Sequence, residues 1–123
     1  MLPRHERLTR PGAFRAIVGR GRAYRGRYVA LFFLPRSGGP SRLGVSVGKK
    51  VGGAVERNRA KRLLREAFRA EKPRLRGSFD MVLMARPETA RARLESVRSE
   101  LETLLRRARV LGSEHDGRSG ASV

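Results

Sequence analysis

Hydrophobic residues follow two rhythms along this chain. From Tyr28 to Leu34 they divide at a period of two, with Tyr28, Ala30, Phe32 and Leu34 on one side and Val29, Leu31 and Phe33 on the other. Aromatic and β-branched residues dominate, which predicts a strand that is apolar, and therefore covered, on both faces. Arg42 to Val47 and Phe79 to Ala85 (FDMVLMA) predict two more strands. Pro35 to Pro40 (PRSGGP) is a turn, and the strands beside it lie antiparallel if it closes a hairpin. A basic, glycine-containing link at residues 22–27 has room for a further brief strand.

The second rhythm is helical. Phe14, Ile17 and Val18 share a face, with Thr9 as N-cap, Pro11 in the first turn, and Gly19 or Gly21 as the stop. Leu94, Val97, Leu101, Leu104, Leu105 and Ala108 recur at helical spacing in a final helix opened by Pro87. Glu95, Arg98, Glu102 and Arg106 take its wet side. Between these helices, the stretch from Val45 to Arg69 runs from a short strand through a glycine-punctuated basic turn into a third helix. At roughly 100° per residue, Lys61, Arg65, Asn58, Arg69, Arg62 and Arg59 fall within an arc of about 160°. Leu63, Ala67, Ala60 and Leu64 fall opposite, with Phe68 at the edge. Residues 71–78 (EKPRLRGS) read as a connecting loop, and those from Gly112 onward as a disordered polar tail. The order is helix, strand, strand, helix, strand, helix. It predicts an α+β sandwich, one domain over residues 1–111 with a tail at 112–123.

Charge changes the picture from fold to partner. The 123 residues carry a formal net charge of +18, and residues 1–78 hold 21 basic and 4 acidic side chains. Eight positive charges lie between Lys49 and Arg69. A helix that buries one side and shows water a strip of cations is built to meet a polyanion. Arginine supplies 25 of the 29 basic residues. Its planar fork suits phosphate, although a GC-rich codon bias would raise the same ratio.

Several functions are poorly served. Without cysteine there are no disulfides, thiolate metal sites or Cys nucleophile. No signal-peptide core or spanning apolar run is present, so the expected location is cytoplasmic. The histidines, His5 and His115, sit near the two ends, and Glu56, Glu66 and Glu71 share a helix with many arginines as local ion pairs. Neither a general acid–base pair nor a carboxylate cluster for metal is evident, so this chain alone is a poor catalyst.

Two features admit two readings each. Gly48, Gly52 and Gly53 around Lys49 and Lys50 could cradle phosphate, or could serve a strand-to-helix turn that needs positive φ. The turn is the stronger reading on spacing, since no GxxxxGK[ST] pattern exists. Phe14, Tyr28, Phe32 and Phe33 could form a stacking platform for single-stranded nucleic acid, or could be core. Core is the stronger reading for any one of them. A strand with two apolar faces nevertheless leaves one face to line a partly open cleft.

The segment Gly44 to Glu66 (GVSVGKKVGGAVERNRAKRLLRE) closely resembles the signature of the bacterial ribonuclease P protein component. The resemblance rests on Arg57-Asn58-Arg59, then Lys61-Arg62 and Arg65, after a Gly-Lys-Lys turn, and extends over about residues 7–109. Departures are Gly48 where the family usually has serine, Gly53 where it has asparagine, and Val18 where a second aromatic is frequent. The resemblance implies the fold of the second domain of ribosomal protein S5, a two-layer sandwich with a left-handed β-α-β crossover. It implies the small subunit of a ribonucleoprotein that cuts the 5′ leader from precursor tRNA. The RNA subunit would carry the active site and use Mg²⁺, so no catalytic side chain is expected here. Phe14, Ile17, Val18 and Phe32 would line the leader cleft. Lys49, Lys50, Arg57, Asn58, Arg59, Lys61, Arg62 and Arg65 would meet the catalytic RNA. Composition alone would favour a non-enzymatic RNA-binding protein, such as a ribosomal protein or RNA chaperone. A DNA architectural protein would have no use for an apolar cleft.

Overall fold

The last strand in the chain is a central strand of the sheet. A computed structural model describes residues 11–112. Its helices are α1 (Pro11–Arg20), α2 (Ala54–Glu71) and α3 (Leu94–Ala108). Its strands are β1 (Arg22–Arg25), β2 (Val29–Pro35), β3 (Arg42–Ser46) and β4 (Phe79–Ala85), in the order β1-β2-β4-β3. The Thr9 cap, His5, His115 and the tail from residue 113 lie outside the described residues. Gly112 is held, donating its N–H to the Arg74 carbonyl at 2.5 Å.

The brief strand at 22–27 is present and forms the antiparallel β1–β2 hairpin. The hairpin between β2 and β3 does not form. β4 lies between them, antiparallel to β2 and parallel to β3, so β3, α2 and β4 make a β-α-β unit. Side-chain content explains the order. β4 is apolar on both faces, as a strand flanked on both sides must be. β3 brings Arg42, Gly44 and Ser46, and β1 brings Arg22 and Arg25, a composition suited to edges. The loop after β2 is tied over the start of β4. Arg36 N–H donates to Ser78 O at 2.9 Å, and Phe79 N–H donates to Ser41 Oγ at 3.0 Å.

Both faces of β2 are covered, as its pattern predicts. Val29, Leu31 and Phe33 join Leu43, Met81 and Leu83 beneath Leu64, Phe68, Val97, Leu101, Leu104 and Leu105 of α2 and α3. Ala30, Phe32 and Val82 face the other way, under Ile17 and Phe14 of α1. The sheet and α2/α3 make the sandwich, and α1 lies across part of the opposite face.

The final helix begins at Leu94 rather than Pro87. Thr89 is fully buried, accepting from Arg86 N–H at 2.8 Å and donating to the Tyr28 carbonyl at 2.5 Å. These bonds hold a single 3-10 turn, Thr89–Arg91, and the chain is extended at Ala92 and Arg93 before α3 starts. A threonine hydroxyl that satisfies backbone groups locally competes with helix.

The loop reading of residues 71–78 also changes. α2 continues through Glu71, and Lys72–Arg74 forms a 3-10 turn. Glu71 is 4% exposed and accepts from Arg74 at 2.8 Å, beside Glu102, which accepts from Arg106 at 2.7 Å. Burial holds the Glu71 carboxyl above its usual range, partly offset by Arg74 and reinforced by Glu102. A raised folded pKa means that this group's stabilising contribution is full below the ordinary carboxylate pKa and is lost as pH rises through the folded value. Glu71→Gln should therefore gain stability relative to wild type between pH 4 and pH 7. Thermal melts across that range check it, and parallel curves for the two proteins would refute it.

Candidate nucleic-acid interface

Helical phase sets the cationic surface. α2 buries Ala60, Leu63, Leu64, Ala67 and Phe68, and leaves Asn58, Arg59, Arg62, Arg65 and Arg69 exposed. Arg57 and Lys61 are half-buried at the border. Lys49 and Lys50 are exposed on a 3-10 turn, Lys49–Val51, that is anchored by the buried Val51. The structure thus brings the cations named from sequence onto one helix and its preceding turn. Sequence phase does not reveal that Arg59 also works for the fold. Its guanidinium donates to the carbonyls of Ala90 and Ala92 at 2.6 and 3.1 Å, closing the turn before α3.

Only one glycine in the turn needs to be glycine for its backbone. Gly52 has φ +144°, and a Cβ there would meet the Glu56 side chain at 2.8 Å. Gly48 and Gly53 have φ of −89° and −80°, open to any residue. Gly53 offers no side chain to cap α2. Half of a capping box survives, because Glu56 Oε1 accepts the Gly53 N–H at 3.0 Å. The pairing read for the other two acids is present, with Glu66 at 3.7 Å from Arg69 and Glu71 on Arg74. Val55, unremarked in the sequence, stands 78% exposed in the first turn of α2. A β-branched apolar residue two positions after the Gly-Gly pair, at the start of a basic helix, is the signal that could have marked it.

On the other face of the sheet, α1 and β3 enclose an open groove of about 420 Å³ lined by Phe14, Arg15, Val18, Gly19 and Ser46. Phe14 is half-buried and Val18 is 36% exposed. Ile17 and Phe32 are buried beneath the groove at 2% and 4% exposure, so they support its floor rather than line it. The Arg25 guanidinium lies 5.5 Å from the centre of the Phe32 ring, covering that side. Gly44 sets the depth of the wall. A Cβ there would lie 2.3 Å from Phe14 Cζ, so the ring rests on bare backbone. Arg42 and Asp80 form a two-pronged pair at 2.8 and 2.8 Å on neighbouring strands. Groove and cations adjoin in the chain. Ser46 on the groove wall is three residues before Lys49, a reach of roughly 10 Å in extended chain.

The family model described as ribonuclease P matches residues 2–109. The chain belongs to the ribonuclease P protein family. Among curated relatives, the ribonuclease P protein component of Shouchella clausii is 36% identical over 118 residues, covering 95% of this chain and 97% of that one. That of Desulfovibrio desulfuricans is 42% identical over 111 residues, covering 87% and 85%. A match to the Natranaerobius thermophilus component is 47% identical but spans only 59% of this chain and 64% of that one. The solved ribonuclease P protein of Staphylococcus aureus superposes with a TM-score of 0.77 at 29% identity, covering 87% of this chain and 98% of that one. The Thermotoga maritima protein gives 0.73 at 34% identity, covering 83% and 96%. The α+β fold expected from the sequence is thus that of the family. Among the described residues, no helix is long and apolar enough to cross a membrane, and no group of three His, Cys, Asp or Glu is placed to hold a metal ion.

Proposed function

We propose that this chain is the protein subunit of a ribonuclease P ribonucleoprotein that removes the 5′ leader from precursor tRNA, in the cytoplasm. Lys49, Lys50, Arg57, Asn58, Arg59, Lys61, Arg62 and Arg65 anchor it to the catalytic RNA. The groove lined by Phe14 and Val18, with Ile17 and Phe32 beneath, takes the single-stranded leader. The RNA subunit carries the catalytic centre, and Mg²⁺ is bound by that RNA and the substrate. The observation that carries this reading is the placement of an open apolar groove beside a cationic turn and helix, in a chain of this family. A groove with an aromatic wall stacks bases, while arginines on a rigid helix bind phosphates without regard to sequence.

The deciding experiment reconstitutes the protein with a bacterial ribonuclease P RNA at low Mg²⁺. Release of the precursor tRNA leader should be stimulated, and failure to stimulate it would overturn the reading. The anchor is tested separately. Arg62 and Arg65 are exposed, and the structure gives neither a side-chain partner among the described residues. The double variant Arg62→Ala/Arg65→Ala should reduce the slope of log K against log salt for the catalytic RNA by roughly one unit per lost phosphate contact. An unchanged slope would show that these side chains face solvent in the complex. Arg59→Ala is a poorer probe, because it also frees two backbone carbonyls.

A further inference from the structure

A second groove, of about 400 Å³, opens at the end of the sheet where the last residues of α1, β2 and α3 meet. Arg20, Arg22 and Arg109 rim it, and Phe33, Pro35 and Phe79 are among the residues of its floor. All three arginines are exposed, and none has a side-chain hydrogen bond or ion pair among the described residues. No acidic residue lines the groove. Three unpaired cations drawn from separate elements around an apolar floor repel one another, and an anion relieves that cost. The floor is firm, since the Phe33 and Phe79 rings meet edge to face at 5.5 Å.

Arg109 adds an independent mark. It sits at φ 62° and ψ 37°, the only non-glycine residue with positive φ among those described. Helices commonly end on a left-handed residue there, usually glycine or asparagine. A long side chain at that point carries backbone strain of about 1 kcal/mol that glycine would not, and such outliers cluster at functional sites.

The two grooves meet at the last turn of α1, where Val18 and Gly19 line the first and Arg20 lines the second. Phe14 and Arg20 are roughly 9 Å apart along the helix axis. Phe33 and Phe79 belong to the α2/α3 side of the sheet, so a single strand leaving the first groove reaches Arg22 and Arg109 by turning round the end of the sheet beyond Arg20. A duplex is too wide to enter a space of this size, whereas one nucleotide fits.

We propose that this second groove binds the part of the single-stranded leader that runs beyond α1, with a base over the Phe79–Pro35 floor and its phosphate among Arg20, Arg22 and Arg109. This rests on the leader reading above. The test measures affinity of the reconstituted holoenzyme for precursor tRNAs with leaders of increasing length. Wild type should gain affinity once the leader is long enough to pass α1. Arg109→Gly should bind long-leader precursors roughly tenfold more weakly, the scale of one charge-assisted contact, and bind the shortest-leader precursor as wild type does. Arg20→Ala/Arg22→Ala should reproduce this. Because glycine relieves the left-handed strain, Arg109→Gly should melt at or above the wild-type temperature, which separates lost binding from lost folding.

Equal loss for short and long leaders would assign the arginines to the catalytic RNA and overturn the proposal. If Phe14→Ala weakens precursor binding while Arg109→Gly does not, only the second groove is refuted. If neither acts, the leader reading falls as well.

Discussion

Glu100→Ala is expected to destabilise the fold by about 3 kcal/mol, on the order of 15 °C in melting temperature for a domain of this size. The Glu100 carboxylate, reaching from α3, accepts three consecutive backbone N–H groups, from Arg27 at 2.5 Å, Tyr28 at 2.6 Å and Val29 at 3.0 Å. Together they form the turn that joins β1 to β2, closed also by Gly26 N–H to Val29 O at 2.8 Å. Deleting the carboxylate strands two partly buried donors, because water readily reaches only the exposed Arg27 N–H. Glu100→Gln should fall between, since it keeps one acceptor oxygen but turns an NH₂ toward N–H donors. Gly26 has no Cβ because that position is filled by the carboxyl, 2.3 Å from where the atom would stand. Gly26→Ala and Glu100→Ala should therefore be strongly non-additive. Melting of the two single variants and the double variant measures this. A Glu100→Ala protein within 0.5 kcal/mol of wild type, using the usual scale of neutral surface changes as the threshold (~0.5 kcal/mol), would show that the turn holds itself.

The second large effect concerns Gly44. Gly44→Ala should expel the Phe14 ring from the wall of the groove between α1 and β3 and, if that groove takes the leader as proposed, reduce discrimination between precursor and mature tRNA by about tenfold. That equals ~1.4 kcal/mol, near the lower end of what one base–aromatic stack supplies. All three nearest atoms to a Cβ at Gly44 belong to that ring, so the main sheet core is undisturbed. Binding of both tRNAs to the reconstituted holoenzyme reads the effect. In a Phe14→Ala background the change should have no further consequence, because the obstacle is gone. A large Gly44→Ala effect in that background would place the clash elsewhere.

These two residues show what a sequence conceals. β2 is legible because both its faces are apolar, and α2 because cations and apolar residues segregate at helical phase. Glu100 was invisible because its partners are backbone N–H groups more than 70 positions away, and nothing in its neighbourhood distinguishes it from Glu95 or Glu102. Gly44 looked like one more strand residue, since a missing Cβ gains meaning only when an aromatic ring from another element lies over it. A good turn after β2 favours a β2–β3 hairpin on local grounds. Which strand takes the middle of a sheet is decided by competition among all strands for burial, and FDMVLMA outcompetes RLGVS. Pro87 gave a sound helix start signal, but Thr89 found a buried carbonyl on Tyr28 that local spacing could not foresee. Of the cleft residues, Phe14 and Val18 are on the surface, while Ile17 and Phe32 follow the apolar logic of their own elements into the core.

The sheet order also sets a schedule. A ribosome releases β1, β2, β3 and the basic helix before it has made β4, the strand between β2 and β3. Until residues 79–85 emerge, β2 has only its short hairpin partner and β3 has none. The arginine-rich half of the molecule is therefore born ahead of the core that will order it. Such non-local pairing is slow to form, so the chain is an unassembled polycation first and a folded cationic surface second.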